Sequence, residues 1–93
     1  MEIDYNCIQS VSGISAGIFK DDSNGERIAF YLEYTRKEGN VQRYYTITKS
    51  MEILDVLAKL KRRNLINQSE LSRVKKETAR PNPTLEFLAL EIY

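Results

Sequence analysis

The chain has 93 residues, 42% of them hydrophobic and 29% charged, and a net charge of +1. That length makes one domain with one core, and a chain this short buries only about 60–65% of its unfolded surface, so little is left for an enclosed active site. The sequence has no histidine and one cysteine, which removes the commonest general base, Ser-His and Cys-His nucleophiles, any intrachain disulfide, and the roughly four Cys or His ligands of a structural zinc site.

No apolar run approaches the roughly 20 residues of a membrane span. The start, MEIDYN, lacks a basic region followed by an apolar run, so no signal peptide is read there. A reducing, cytoplasmic setting is expected, with no cofactor, no metal and no membrane partner. An enzymatic role is not expected.

Tyr5 to Ser12 is half apolar and reads as a strand. Ser12 to Gly17 is a small-residue break. Ile18-Phe19 then leads into Asp21 to Glu26, a run of turn formers whose Asn24-Gly25 signals a hairpin. Asp21, Asp22 and Glu26 do not fit a calcium loop. Such a loop needs Gly at its sixth position, and counting back from Gly25 puts Lys20 at the first. The lone Cys7 is expected to be a buried small hydrophobe.

Arg27 to Arg36 alternates, with Ile28, Phe30, Leu32 and Tyr34 on one face and Ala29, Tyr31, Glu33 and Thr35 on the other. Period two argues a strand half buried on a core. Lys37 to Asn40 turns the chain. Val41 to Thr48 alternates again, with Val41, Arg43, Tyr45 and Ile47 opposite Gln42, Tyr44, Thr46 and Thr48. A turn of Gly39-Asn40, or of all of Lys37 to Asn40, puts Tyr45 and Ile47 on the core side with Leu32 and Tyr34.

From Met51 the period becomes helical: Ile53, Leu54, Val56, Leu57 and Leu60 form a stripe. Thr48 or Ser50 is placed to cap this helix, and Asn64 suits the left-handed residue that ends it. Asn67-Gln68-Ser69-Glu70 is a capping-box pattern that opens a second helix, with Leu71 and Val74 on its apolar side. Pro81 and Pro83 stop it. Thr84 to Tyr93 reads as a buried final strand, with a short helix as the rival.

The segment ILDVLAKLKRRNLINQSELSRVKKETA resembles the short helical hairpins called SHOCT-type. Asn64 to Leu71 occupies the place of their connector, with Asn64 for its glycine and Asn67 for its threonine, and both exchanges keep the capping roles. The resemblance implies a role in protein interaction or oligomerisation and no catalytic residue.

The expected fold is α+β, an antiparallel sheet of three or four strands with a two-helix hairpin on one face. Residues 1–48 are the β-rich part, 49–80 the hairpin and 81–93 an extended C-terminal segment of a single domain. Charge is concentrated in the hairpin. Thr48 to Arg80 carries nine basic and four acidic side chains, against five basic and seven acidic before it. Arg62, Arg63, Arg73 and Lys76 are its expected electrostatic patch. Tyr31 and Tyr44 are expected as contact anchors on the open sheet face. The leading expectation is a non-catalytic protein-binding module of inhibitor or adaptor type. Small site-free proteins of that kind are common among phage and mobile-element products that block host machinery, anti-CRISPR proteins included. The alternative is a nucleic-acid-binding or transcription-regulating protein that uses the basic hairpin. A homo-oligomer with no separate ligand is the third reading.

Overall fold

The change of period at Ser50 divides the chain into a sheet and a helical hairpin. The structure, a computed structural model, describes residues 3–21 and 25–85. A short 3-10 turn at Tyr5–Cys7 precedes strands β1 (Ile8–Asp21), β2 (Gly25–Arg36) and β3 (Val41–Thr48). Helices α1 (Ser50–Arg62) and α2 (Gln68–Glu77) follow. Both strand pairs are antiparallel and the order is β1-β2-β3. The α+β fold is as expected, with three strands among the described residues.

The β2 alternation places its residues as read. Ile28, Phe30, Leu32 and Tyr34 are all buried, Phe30 and Leu32 completely. They share one core with Ile53, Val56, Leu57 and Leu60 of α1 and Leu71 and Val74 of α2. Helical residues thus cover this face of the sheet.

The small-residue stretch at 12–17 is not a break. It lies inside β1, a single strand of 14 residues. Ile14, Ala16 and Ile18 stand opposite Leu32, Phe30 and Ile28 and so face the core. Gly13, Ser15 and Gly17 face the other side. Two register shifts, between Ile8 and Ser10 and between Val11 and Gly13, bend the strand.

The facing of β3 is the reverse of the expected one. Arg36 N–H donates to Asn40 O and Gly39 N–H donates to Arg36 O, each at 2.8 Å. The loop therefore holds three residues, with Gly39 at φ +102°. A three-residue hairpin loop needs such a left-handed position, which glycine adopts without strain. An odd loop inverts the parity of the returning strand. Leu32 pairs with Tyr44 and Phe30 with Thr46, while Tyr31 pairs with Tyr45 and Ala29 with Ile47. Tyr44 packs on the core, and Tyr45 and Ile47 lie on the opposite face.

The C-terminal segment passes round the β1 edge to that opposite face. Ile18 N–H donates to Arg80 O at 2.7 Å, in a parallel bridge between Ile18 and Pro81. Asn82 then lies against Gly17, and Tyr45 Oη donates to Leu85 O at 2.7 Å. Residues 83–85 form a helical turn, not the start of a strand. Leu85 N–H donates to Asn82 Oδ1 at 3.3 Å. Asn82 is thus a helix cap and Pro83 holds the first helical position, which suits its fixed φ. The remainder of the expected final strand lies outside the described residues.

Candidate functional site

Local chemistry fixes the hairpin at both ends of its connector. Leu65 N–H donates to Leu60 O and Asn64 N–H to Lys61 O, each at 3.0 Å. These are the paired bonds of a Schellman motif, with Asn64 left-handed at φ 59°. Two residues on, Glu70 N–H donates to Asn67 Oδ1 at 2.8 Å and Asn67 N–H donates to Glu70 Oε1 at 3.2 Å. The capping box is complete. Ile66, between the two caps, is buried. At the start of α1 the cap position falls on Lys49, which makes no side-chain cap bond. Thr48 instead donates its hydroxyl to Glu52.

All four acids of the hairpin are engaged internally. Glu52 accepts from Thr48 and Glu70 closes the capping box. Asp55 pairs with Lys59 at 2.9 Å. Glu77 holds Arg73 at 2.6 Å and also accepts from Ala16 N–H at 3.0 Å. Arg73 Nη2 in turn donates to Ile14 O at 2.8 Å. The Arg73–Glu77 pair therefore satisfies Ile14 O and Ala16 N–H on the free edge of β1 as a fourth strand would, and Asn82 and Arg80 O continue the row at Ala16 O and Ile18 N–H. The edge between residues 14 and 18, covered in this way, no longer offers a template for another strand.

The four expected cations of the patch part company. Arg73 clamps β1. Arg63 lies 5.1 Å from the Tyr5 ring centroid and donates to Lys59 O at 3.3 Å. Lys59 stands over the same ring at 5.7 Å. Burial pushes the Tyr5 phenol above its ordinary pKa, so the ring stays neutral beneath two cations. Lys76 faces a polar cleft with Ser69, Ser72 and Arg80. Arg62 sits on the rim of a groove between the helices. That groove, about 370 Å³, is floored by Leu54, Ala58 and Leu71 and rimmed by Lys61, Arg62 and Lys75. None of those three cations makes an ion pair among the described residues. Leu54, read from the sequence as part of the buried stripe, is 40% exposed. Its position one residue beyond Ile53 on the helix turns it toward this groove. That offset, with Lys61 and Arg62 seven and eight residues further on, is the signal in the sequence for the site.

The two expected anchor tyrosines lie on opposite faces and form no common surface. Tyr31 stays on the face away from the helices, where its hydroxyl donates to Glu33 Oε1 at 3.0 Å. Ser12 Oγ donates to Glu33 Oε2 at 3.1 Å and Arg43 Nε to Oε1 at 2.9 Å. The Tyr31 and Ser12 hydroxyls, followed by Arg43, hold the Glu33 carboxyl below its ordinary pKa. Burial and the Glu33 bond raise the Tyr31 phenol. Cys7 is half-exposed, not buried, and its thiol donates to Asp4 Oδ2 at 3.0 Å. That bond raises the thiol pKa, which disfavours the nucleophilic thiolate.

The Glu33 cluster predicts a pH dependence. A carboxyl whose pKa is lower folded than unfolded stabilises the fold above the ordinary glutamate pKa. That contribution disappears as pH falls through the lowered value. Wild type should therefore exceed Glu33→Gln in urea midpoint at neutral pH, and the gap should close on acidification. An equal gap at every pH would show that Glu33 acts only by packing.

Among the described residues no helix is long and apolar enough to cross a membrane. No protein family, curated protein or solved structure matches the chain. The likeness of the hairpin to SHOCT-type hairpins rests on its helix–cap–helix pattern.

Proposed function

We propose that the chain is a non-catalytic protein-binding module of inhibitor or adaptor type, with the outer face of the α1–α2 hairpin as its contact surface. The class includes phage and mobile-element proteins that block host machinery, anti-CRISPR proteins among them. The observation that carries the reading is the distribution of charge on the hairpin. Its acids are all bonded internally, while Lys61, Arg62 and Lys75 surround an apolar floor and make no ion pair among the described residues. Cations held in this way favour association with an acidic surface, and exposed leucine supplies area to bury once contact is made.

Affinity capture from host lysate, with and without nuclease, tests this reading. The expected result is a protein partner retained after nuclease treatment and lost with the triple variant Lys61→Glu, Arg62→Glu, Lys75→Glu. Single reversals should act mainly on the association rate, and added salt should mimic them. Micromolar binding to duplex or single-stranded nucleic acid, steeply weakened by salt and with no nuclease-resistant partner, would replace this reading with the nucleic-acid alternative.

A further inference from the structure

The groove between α1 and α2 has a shape and a charge pattern that select its occupant, given that the hairpin binds protein. Its α1 wall is Leu54, Ala58 and Lys61, residues spaced by four and three that share one helix face. Its α2 wall is Leu71 and Lys75, four residues apart. Met51 lies one turn before Leu54 on the same side of α1 and is 81% exposed. An apolar strip thus runs along α1 and ends among cations. From Leu54 to Lys61 the groove spans about two helical turns, or roughly 10 Å at 1.5 Å per residue.

The apolar floor excludes a phosphate backbone as the natural occupant. Phosphate contacts gain from polar donors and positive charge, and they leave Leu54 and Leu71 unused. No aromatic residue stands between Met51 and Ala79 to stack on a base. An extended strand has no free backbone row to pair with, because both walls are helical and bonded within themselves. A helix laid in a groove needs only side chains at helical spacing on each partner. The sign of the rim settles the charge of its flanks.

We propose that this groove seats a short acidic amphipathic helix of a partner protein, with its apolar side chains on Leu54, Ala58 and Leu71 and its carboxylates toward Lys61, Arg62 and Lys75. The assignment rests on the protein-binding reading and narrows it to one recognition mode. Leu54 is the most exposed leucine of the groove, and Arg62 on α1 and Lys75 on α2 bring positive charge from both of its walls.

The test uses the full chain and a fluorescein-labelled helix-forming peptide of about 16 residues, long enough to hold helical structure. One face carries Leu at helical spacing and the flanks carry Glu. Two control peptides carry Lys for Glu, or Ser for Leu. The Leu/Glu peptide should bind at least about tenfold more tightly than either control, a difference of about 1.4 kcal/mol. Leu54→Ser should weaken it by a similar factor while leaving the melting temperature near wild type, because Leu54 is partly exposed and lies outside the buried core cluster. Arg62→Glu with Lys75→Glu should reverse the preference and favour the Lys peptide. Equal binding of the Glu and Lys peptides, or indifference to Leu54→Ser, would overturn the assignment. So would displacement of the peptide by duplex DNA at physiological salt, or concentration-dependent self-association that blocks the peptide. If nuclease-resistant capture persists while no peptide preference appears, the helix assignment falls and the protein-binding reading stands. If the peptide preference appears without any captured partner, the groove chemistry is upheld and the choice of partner source is at fault.

Discussion

Phe30→Ala should remove about 3–5 kcal/mol of stability, the usual range for deleting a fully buried phenylalanine. Phe30 has no exposed surface and stands in the central strand, between Ala16 on β1 and Thr46 on β3. It shares the core with Ile53, Leu57 and Leu60. The site cannot collapse easily, because a strand pairs on each side of it and helices cover its face. Small domains hold only about 5–15 kcal/mol in total, so the variant should be near the edge of folding. With a urea slope of about 1–2 kcal/mol per M, the midpoint should fall by about 1.5–5 M. Val41→Ala is the internal control. Val41 is 54% exposed, and its truncation should stay within about 0.5 kcal/mol. A Phe30→Ala loss below about 1 kcal/mol would mean that the core does not close over β2.

Burial on β2 was legible in the sequence because its pattern has a strict period and one face is almost wholly apolar. The helical hairpin was legible for a different reason. Asn64 and the Asn67–Glu70 box are local signals that act through bonds a few residues long. The facing of β3 depends on the number of residues in one turn, and Lys37 to Asn40 accommodates two, three or four. The composition of β3 also points the wrong way, since Val41 and Ile47 share the face that turns away from the helices, while Tyr44, Thr46 and Thr48 share the face that meets the core. Nothing in its own composition could therefore correct the parity. The dispersal of the basic patch was out of reach for a similar reason. Arg73 and Glu77 are an ordinary salt-bridge spacing on a helix. Only the tertiary position of α2 beside β1 turns them into a backbone clamp. The small residues of β1 misled because glycine and serine signal turns locally, whereas here they lie inside a strand and Gly17 makes room for a segment distant in sequence.

Gly17→Val should destabilise the fold by about 2–4 kcal/mol, in contrast with a mild gain at Gly13 on the same face of the same strand. The two positions differ in what an added Cβ would meet. At Gly17 it would overlap Asn82, whose backbone N would stand only 2.9 Å away. At Gly13 the nearest atoms are Glu33 Cβ at 3.5 Å and a Tyr31 ring carbon at 3.8 Å, ordinary contacts. Replacing a strand glycine by alanine is worth roughly 0.5–1 kcal/mol when no clash intervenes, so Gly13→Ala should raise the melting temperature slightly. At Gly17 the same gain is outweighed. Overpacking alone costs about 1–3 kcal/mol, and the obstacle is backbone that cannot rotate aside. To admit the side chain the 80–85 segment must lift. That breaks the Ile18–Arg80 bond and the Tyr45–Leu85 bond together, and each lost bond removes its own contribution to stability. Gly17→Ala should show the same effect at smaller size. Hydrogen exchange gives a readout that general destabilisation would not mimic. The Ile18 and Leu85 amides should lose protection in Gly17→Ala well before those of β2 and β3, since a lifted segment opens locally. Wild-type protection at both amides, together with an unchanged melting temperature, would show that the C-terminal segment does not lie across Gly17.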